Sequence, residues 1–233
     1  MPIITEPFAG WIPGLLQLVD TVFPTGGYAH SFGLEEIVRR GEVRDQGTLE
    51  KFLHNRIVPA LTHLDLPIVR EAIFAAAAGD REEFVALDRL AGALKIAREQ
   101  RDASLQMGRR RLFLLMRLRP TPELNVLHQI ALDDPLAGHH AVVWGVSCAS
   151  VPVKVALVAY YYQAVASLCT AAPKLIRIGQ EGAQRVLTQA LNEAERCVDT
   201  ACAIVRSEIG WFDPALEIAC MLHEIADERL FIS

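Results

Sequence analysis

Apolar residues recur every three or four positions along almost the whole chain, and strict alternation of apolar and polar residues is nearly absent. A period of 3.6 residues is the pattern of an amphipathic helix, whereas alternation is typical of a half-buried strand. The pattern therefore predicts an all-α protein with almost no sheet. Because no repeat, low-complexity tract or linker-like composition divides the chain, we expect a single-domain bundle of about ten helices.

Local signals at the ends of the apolar stripes indicate where helices begin and stop. A capping side chain stands before a first-turn acidic residue or proline at three places: Asp80 with Glu83, Thr121 with Pro122, and Asp213 with Pro214. Gly79 can adopt the left-handed conformation that closes a helix. The stripes predict separate helices at 49–57 and 66–73, a long helix at 97–118, and a helix of more than five turns that ends at 205.

Composition narrows the classes of protein that this bundle could be. The 233 residues are 52% hydrophobic with a mean hydropathy of +0.23, which indicates a large core together with apolar surface that another protein covers. The formal net charge of −5 argues against nucleic acid as the main partner, because duplex binding depends on a basic surface. Self-association is the simplest way to cover the apolar surface, so we expect a homodimer.

Cysteine usage and the opening residues indicate the compartment. The five cysteines are odd in number, form no CxxC pair and lie in apolar, helix-like surroundings, which suits reduced thiols. The first 13 residues show no basic stretch followed by an apolar one, so no secretory signal is visible. We expect a cytoplasmic protein.

One uncharged segment, 155–173, could be either a membrane span or a buried helix of a soluble protein. Its 19 residues are long enough for a membrane span. Three tyrosines and the polar Gln163, Ser167 and Thr170 lie inside it, where lipid would leave their polar groups short of partners. We therefore favour a buried core or interface helix over a membrane span.

The most distinctive motif is the stretch 23–35, which reads FPTGGYAHSFGLE. Its paired glycines permit positive φ and close approach of another chain segment, and Ser31 can cap the helix that follows. A tight interhelical loop and a binding loop explain these residues equally well. The stretch is not a phosphate-binding loop, because the pattern GxxxxGK[ST] occurs nowhere in the chain.

Side chains that could carry catalysis or bind metal form no recognisable pattern. Five histidines could in principle converge: His30, His128, His139, His140 and His223. Neither HExxH nor a Cys/His finger spacing is present, and adjacent histidines on a helix point about 100° apart. No GxSxG elbow is present either. We expect no catalytic centre, no metal site and no cofactor.

Two charged or apolar segments invite a functional interpretation. Three consecutive arginines, 109–111, cannot all face one groove of a partner, since they span about 200° of a helix, so we favour a solvated face or salt bridges. Arg98 and Arg101 lie on one side at i, i+3 and are better placed to act together. The C-terminal Leu230 and Phe231 should be buried somewhere, either on their own domain or in a groove of another protein.

Five groups of residues, taken in order, resemble a known family: Pro24, Gly26, His30, Ser31, Gly33, Leu34 and Glu35; Glu99, Arg101 and Gly108; Gly138, His139 and Gly145; Gly179, Gln180 and Gln184; and His223 and Glu224 with Arg229, Leu230, Phe231 and Ser233. Together they resemble the urease accessory protein UreF family from about Leu15 to the last residue. One such motif is weak, but five in order over a helical chain form a specific pattern.

The resemblance implies an all-α, non-enzymatic protein that dimerises, binds the accessory protein UreD (also called UreH), and recruits the nickel-carrying GTPase UreG. The complex would engage apo-urease, so that nickel and a carbamylated lysine are installed in that enzyme. Residues that match the family motifs or lie beside them are candidates for partner binding: Pro24, Gly26, Gly27, Tyr28, His30, Ser31, Glu35, Arg98, Arg101, Gln180, His223, Arg229, Leu230 and Phe231.

These assignments divide the chain into an N-terminal extension at 1–13, a helical domain at 14–227 and a docking tail at 228–233. In the tail, we expect Phe231 to be a buried anchor in UreD and Arg229 to pair with an acidic group. Two alternatives stay open. The chain could activate or restrain the UreG GTPase by supplying Arg or Gln residues, or it could be a membrane-associated nickel factor that inserts 155–173.

Overall fold

The computed structural model describes residues 9–20, 22–26 and 30–231, and these form helices with no strand. The α-helical segments are α1 Ile12–Val19, α2 Leu34–Arg39, α3 Gln46–Phe52, α4 Val58–Ala60, α5 Leu66–Ala78, α6 Arg81–Leu94, α7 Arg98–Leu118, α8 Pro122–Asp133, α9 His140–Ser147, α10 Val153–Leu175, α11 Gln180–Leu191, α12 Ala194–Ala203 and α13 Pro214–Glu224. The all-α single-domain bundle predicted from the sequence is confirmed.

The segments α3, α4 and α5 are one continuous helix from 46 to 78, so the prediction of two separate helices here was wrong. Two π-helical stretches, Leu53–Ile57 and Leu61–Asp65, join the three segments. Each stretch ends two residues before a proline, Pro59 or Pro67. Proline lacks the N–H that a regular turn requires, and a local change of hydrogen-bond spacing lets the helix continue past it.

The opposite error occurs near the C-terminus, where the predicted helix of more than five turns is divided into α11 and α12. The break falls at Asn192 and Glu193. The hydroxyl of Tyr161 donates to the Ala190 carbonyl at 2.9 Å, and the Glu193 N–H donates to the same carbonyl at 3.1 Å. A side chain from α10 therefore takes part of the hydrogen bonding that would continue α11.

The caps predicted at Asp80, Thr121, Asp213 and Gly79 are confirmed. The Asp80 side chain accepts from the Glu83 N–H, Thr121 from the Leu124 N–H, and Asp213 from the N–H groups of Ala215 and Leu216. Gly79 closes α5 in the left-handed conformation, with φ 67°. Each of these signals acts within four residues of sequence, which explains why the sequence alone revealed them.

The centre of the core is the contact between α5 and α9. A Cβ atom on Gly145 would lie 2.5 Å from both the Ala72 Cβ and the Val69 carbonyl oxygen, so α9 can approach this closely only with glycine here. Beside Gly145, the Trp144 side chain is fully buried. Its indole N–H donates to the Ala156 carbonyl at 3.3 Å, which ties α9 to α10.

The apolar helix α10 belongs to this core. Among the described helices it alone is long and apolar enough to cross a membrane, yet 67% of its most apolar window is buried inside the bundle. The core helix of a soluble protein passes the same test of length and composition. Because α10 is mostly buried inside the bundle, it supplies little apolar surface for a dimer.

Arg109 is half-buried and Arg111 is buried, contrary to the predicted solvated face or salt bridges, whereas Arg110 is exposed as that prediction expects. Arg109 donates to the carbonyls of Ala131, Asp134 and Ala137. Arg111 is fully buried, stacked between the rings of Phe23 and Trp144, and donates to the Leu18 carbonyl and to Gln163. Both guanidinium groups therefore hold loops and helix ends in place, because a planar fork of donors suits several carbonyls at once.

Candidate functional site

Three helices bring a histidine and two carboxylates together at one end of the bundle. His223 of α13 lies between Glu35 of α2 and Glu99 of α7: its Nδ1 is 2.7 Å from Glu99 Oε1, and its Nε2 is 3.0 Å from Glu35 Oε2. His223 is only 1% exposed. Both ring nitrogens face carboxylate oxygens, so both must carry protons for the two hydrogen bonds to exist.

The C-terminal tail folds back onto this cluster. Glu35 accepts from the Leu230 N–H at 2.7 Å and from the Phe231 N–H at 2.9 Å. The Phe231 side chain is 5% exposed, and Lys174 Nζ lies 5.5 Å from the centre of its ring. In the isolated chain the anchor expected in a partner is therefore held by its own domain, and residues 232–233 lie outside the described part.

Electrostatics in this cluster favour the charged forms of His223 and Glu35. The hydrogen bond to Glu99 raises the pKa of His223; burial opposes this, and Glu35 adds to it. Burial would raise the pKa of Glu35, but the N–H groups of Leu230 and Phe231 and the imidazole of His223 lower it overall. The arrangement is a carboxylate, an imidazolium and a carboxylate in a row, with the tail attached to one end.

The loop before α2 places Glu35. Gly33 precedes α2 with φ 82°, and a Cβ there would lie 3.0 Å from both Cys220 Sγ and Leu216 Cδ1 of α13. Ser31 is not the N-cap residue, contrary to the prediction, although its hydroxyl accepts from the Glu35 N–H at 3.4 Å. The left-handed glycine thus lets α2 pack directly against α13, which brings Glu35 to His223.

The other residues of the 23–35 motif take different positions. Pro24 is exposed, whereas Gly26 is buried against Arg110 with φ 83°. His30 is buried in the wall of a cleft that it shares with Glu99, and burial, then the nearby Arg110, lowers its pKa to about 4. Gly27 and Tyr28 lie outside the described residues, so their expected role stays a prediction.

The candidate arginines do not act as a group. Arg98 pairs with Glu224, the last residue of α13, whereas Arg101 donates to the carbonyls of Lys95 and Ile96. Arg229 approaches Glu99 at 3.7 Å, which joins the tail to the histidine cluster. Gln180 opens α11, the helix that packs on α3 and α10, and is not part of this cluster.

The outward side of α13 is apolar, a feature that the sequence analysis missed. Ile218, Met221 and Leu222 are exposed along the helix, and Ile225 directly after it is 74% exposed. The inner side is apolar as well, with Leu216, Ala219 and Cys220 buried. A helix with apolar residues on both its inner and its outer side was a signal available from the sequence, since it indicates contacts on both sides.

Metal-binding groups do not cluster in the described part of the chain: no three His, Cys, Asp or Glu side chains lie where they could hold an ion. The nearest set, Glu35, His223 and Glu99, is a linear hydrogen-bonded row in which both imidazole nitrogens are already used. All five cysteines are free thiols, and burial raises the pKa of Cys169 and Cys220 to about 12. Their chemistry suits packing.

Comparison with known proteins identifies the class. Residues 43–191, more than half of the chain, match the family model named UreF. The urease accessory protein UreF of Paenarthrobacter aurescens is 34% identical over 94% of this chain and 96% of its own length, and that of Kocuria rhizophila is 34% identical over 99% and 100%. The UreF protein of Actinobacillus pleuropneumoniae is 29% identical over 96% and 100%.

An all-α domain with these relatives is a urease accessory protein. The name of this class implies a non-catalytic role that is accessory to the enzyme urease. Within that class, the chain belongs to the UreF family. The resemblance inferred from the five motifs is confirmed.

Proposed function

We propose that this chain works in urease maturation as a cytoplasmic helical adaptor that binds UreD (UreH), recruits the GTPase UreG and assists nickel delivery to apo-urease. The observation that supports partner binding is the exposed apolar side of α13. The same helix carries His223, which binds Glu35 beside the tail. Water-exposed apolar side chains at consecutive turns of one helix favour a protein partner that covers them. We assign this surface to UreD.

The tail takes part in the same contact. In the proposed complex Phe231 leaves its place on the bundle and enters UreD as an aromatic anchor. A partner would therefore compete with Glu35, which holds the Leu230 and Phe231 N–H groups in the isolated chain. Removing this competition should strengthen UreD binding, whereas removing the anchor should weaken it.

Titration of purified UreD with matched variants tests the α13 surface. Ile218→Asp puts a charge on an exposed apolar position of α13, and Leu132→Asp does the same on α8 at a position that is also exposed. We expect the first change to weaken binding by at least about thirtyfold, the cost of one anchor of about 2 kcal/mol, and the second to leave it unchanged. Equal affinities would remove α13 from the UreD interface.

The tail is tested by two further variants in the same titration. Glu35→Gln should raise the affinity for UreD, because the tail is released from its own domain, and deletion of 228–233 should lower it. If Glu35→Gln lowers the affinity as much as the deletion does, UreD recognises the tail in its docked position, and the transfer of Phe231 is wrong.

Homodimer formation remains part of the proposal. If Ile218→Asp abolishes self-association and leaves UreD binding intact, α13 is the dimer surface instead. The alternative role as a regulator of UreG gains no support from Arg98 and Arg101, since Arg98 already pairs with Glu224 and Arg101 donates to the carbonyls of Lys95 and Ile96. GTP turnover by UreG with and without this chain measures that role directly.

A further inference from the structure

Two backbone N–H groups of the tail are held by one carboxylate, that of Glu35, which is itself held by a histidine. Glu35 Oε2 accepts from both His223 Nε2 and the Phe231 N–H, while Glu35 Oε1 accepts from the Leu230 N–H. The same imidazole binds Glu99 through Nδ1, and Glu99 in turn approaches Arg229. The two carboxylates that contact the tail, those of Glu35 and Glu99, therefore bind the same imidazole ring.

The two hydrogen bonds of His223 can exist together only when both ring nitrogens carry protons. A neutral imidazole has one N–H and one lone pair, so it can donate to only one of the two carboxylates. The contact to Glu99 is the shorter, at 2.7 Å, and Glu99 is buried whereas Glu35 is half-buried. The remaining proton belongs on Nδ1, and the Nε2 lone pair would then face Glu35 Oε2 and repel it.

We propose that Glu35 and His223 form a clasp that closes the C-terminal tail while both ring nitrogens carry protons and opens it when Nε2 loses its proton. The clasp would make release of Phe231 sensitive to pH. Its consequence for UreD binding rests on the proposed function, but the opening itself is a property of the isolated chain.

The groups around His223 fix the direction of this response. Facing it are Glu35 from α2 and Glu99 from α7; Arg229 pairs with Glu99, and Arg98 with Glu224 at the rim. The raised pKa of His223 keeps the clasp closed below the ordinary histidine range, and the clasp opens as pH rises through that raised value. The lowered pKa of Glu35 sets the acid limit, where protonation removes the acceptor.

Neighbouring groups that could titrate do not explain an opening of the clasp as the pH rises through the raised pKa of His223. His30 lines a cleft together with Glu99 and Arg229. Its pKa is lowered to about 4, so it stays neutral at the pH values where His223 loses its proton. Cys220 lies on the same helix, and burial raises its pKa to about 12. His223 is therefore the group to test.

Hydrogen exchange read by mass spectrometry measures the clasp directly. The protection factor of the C-terminal peptide, which carries the Leu230 and Phe231 amides, is compared between about pH 6 and pH 9 with that of a peptide from α5. We expect tail protection to fall at least about tenfold with rising pH while α5 stays protected. Protection of the tail that stays constant over this range would overturn the proposal.

Three variants test whether His223 and Glu35 cause the pH dependence of tail protection. His223→Gln should remove the pH dependence, and Glu35→Gln should lower tail protection at every pH, because the amide cannot accept from all three donors. His54→Gln is the matched control. His54 also contacts a carboxylate, that of Glu193, at 2.8 Å, but His54 lies in the π-helical stretch before α4 and Glu193 in the break between α11 and α12. A pH response that persists in His223→Gln, or disappears in His54→Gln, would contradict the clasp.

A folding defect in one variant leaves the test intact. Circular dichroism checks that each variant keeps its helix content, and if His223→Gln does not fold, Glu35→Gln and the wild-type pH series still decide the outcome. Failure of UreD binding with an intact pH response would contradict the proposed function and leave the clasp standing.

Discussion

Replacing Phe231 by alanine tests whether the tail is part of the folded domain. The ring is 5% exposed, so its removal forfeits nearly the whole transfer free energy of a phenylalanine side chain, about 2 to 3 kcal/mol. The loss has an upper limit. Because the tail is terminal, it can detach once its docking is weaker than the entropy gained on release, so the additional cost of an internal cavity does not apply.

The measurement is thermal unfolding followed at 222 nm at about pH 6, where the clasp is closed. For a domain of this size each kcal/mol changes the Tm by roughly 2 to 4 °C, so we expect Phe231→Ala to lower it by roughly 4 to 12 °C. Leu230→Ala is the matched control, because that neighbouring side chain is 64% exposed and should leave the Tm nearly unchanged. A Tm within about 1 °C of wild type for Phe231→Ala would refute the docking of the tail.

Three further predictions follow from the packing, the charges and the surface. Gly145→Val should destabilise the fold by about 2 kcal/mol or more, because the Cβ of the new side chain would lie 2.5 Å from atoms of α5. Gly182→Ala on α11 is the control and should be neutral or stabilising. Chemical denaturation measures the unfolding free energy of both variants. Burial raises the pKa of Asp88 to about 6 despite two backbone hydrogen bonds, so stability from this group is present below about pH 4 and lost as pH rises to 6. Asp88→Asn should flatten the pH profile of the unfolding free energy between these values. Light scattering at tens of micromolar should find a dimer, and a stable monomer would contradict the expected self-association.

The candidate site could be predicted from the sequence only in part. Glu35, His223, Arg229 and Phe231 were chosen because they match family motifs, and the structure brings these four together. Glu99 matched a motif as well but was not proposed for the site. Its role depends on α7 passing beside α13, a contact between residues 124 positions apart, which local sequence does not encode.

Local rules also failed where a tertiary contact overrode them. The helix predicted to continue to residue 205 breaks after Leu191, where Tyr161 of another helix donates to the Ala190 carbonyl. Arg111 was assigned to a solvated face or to salt bridges because three consecutive helical positions cannot all face one groove, yet two aromatic rings and two acceptors enclose it. In each case the deciding partner lies far away in the sequence.

The sequence by itself determined the helical class and the capped ends, because period and capping act over a few residues. Only the tertiary structure decided that α2, α7 and α13 converge, with Gly33 allowing the approach of α2 to α13. Side chains that are 188 residues apart, such as Glu35 and His223, meet because three helices pack on one core. Helix packing depends on the shapes of whole surfaces, which no short stretch of sequence specifies.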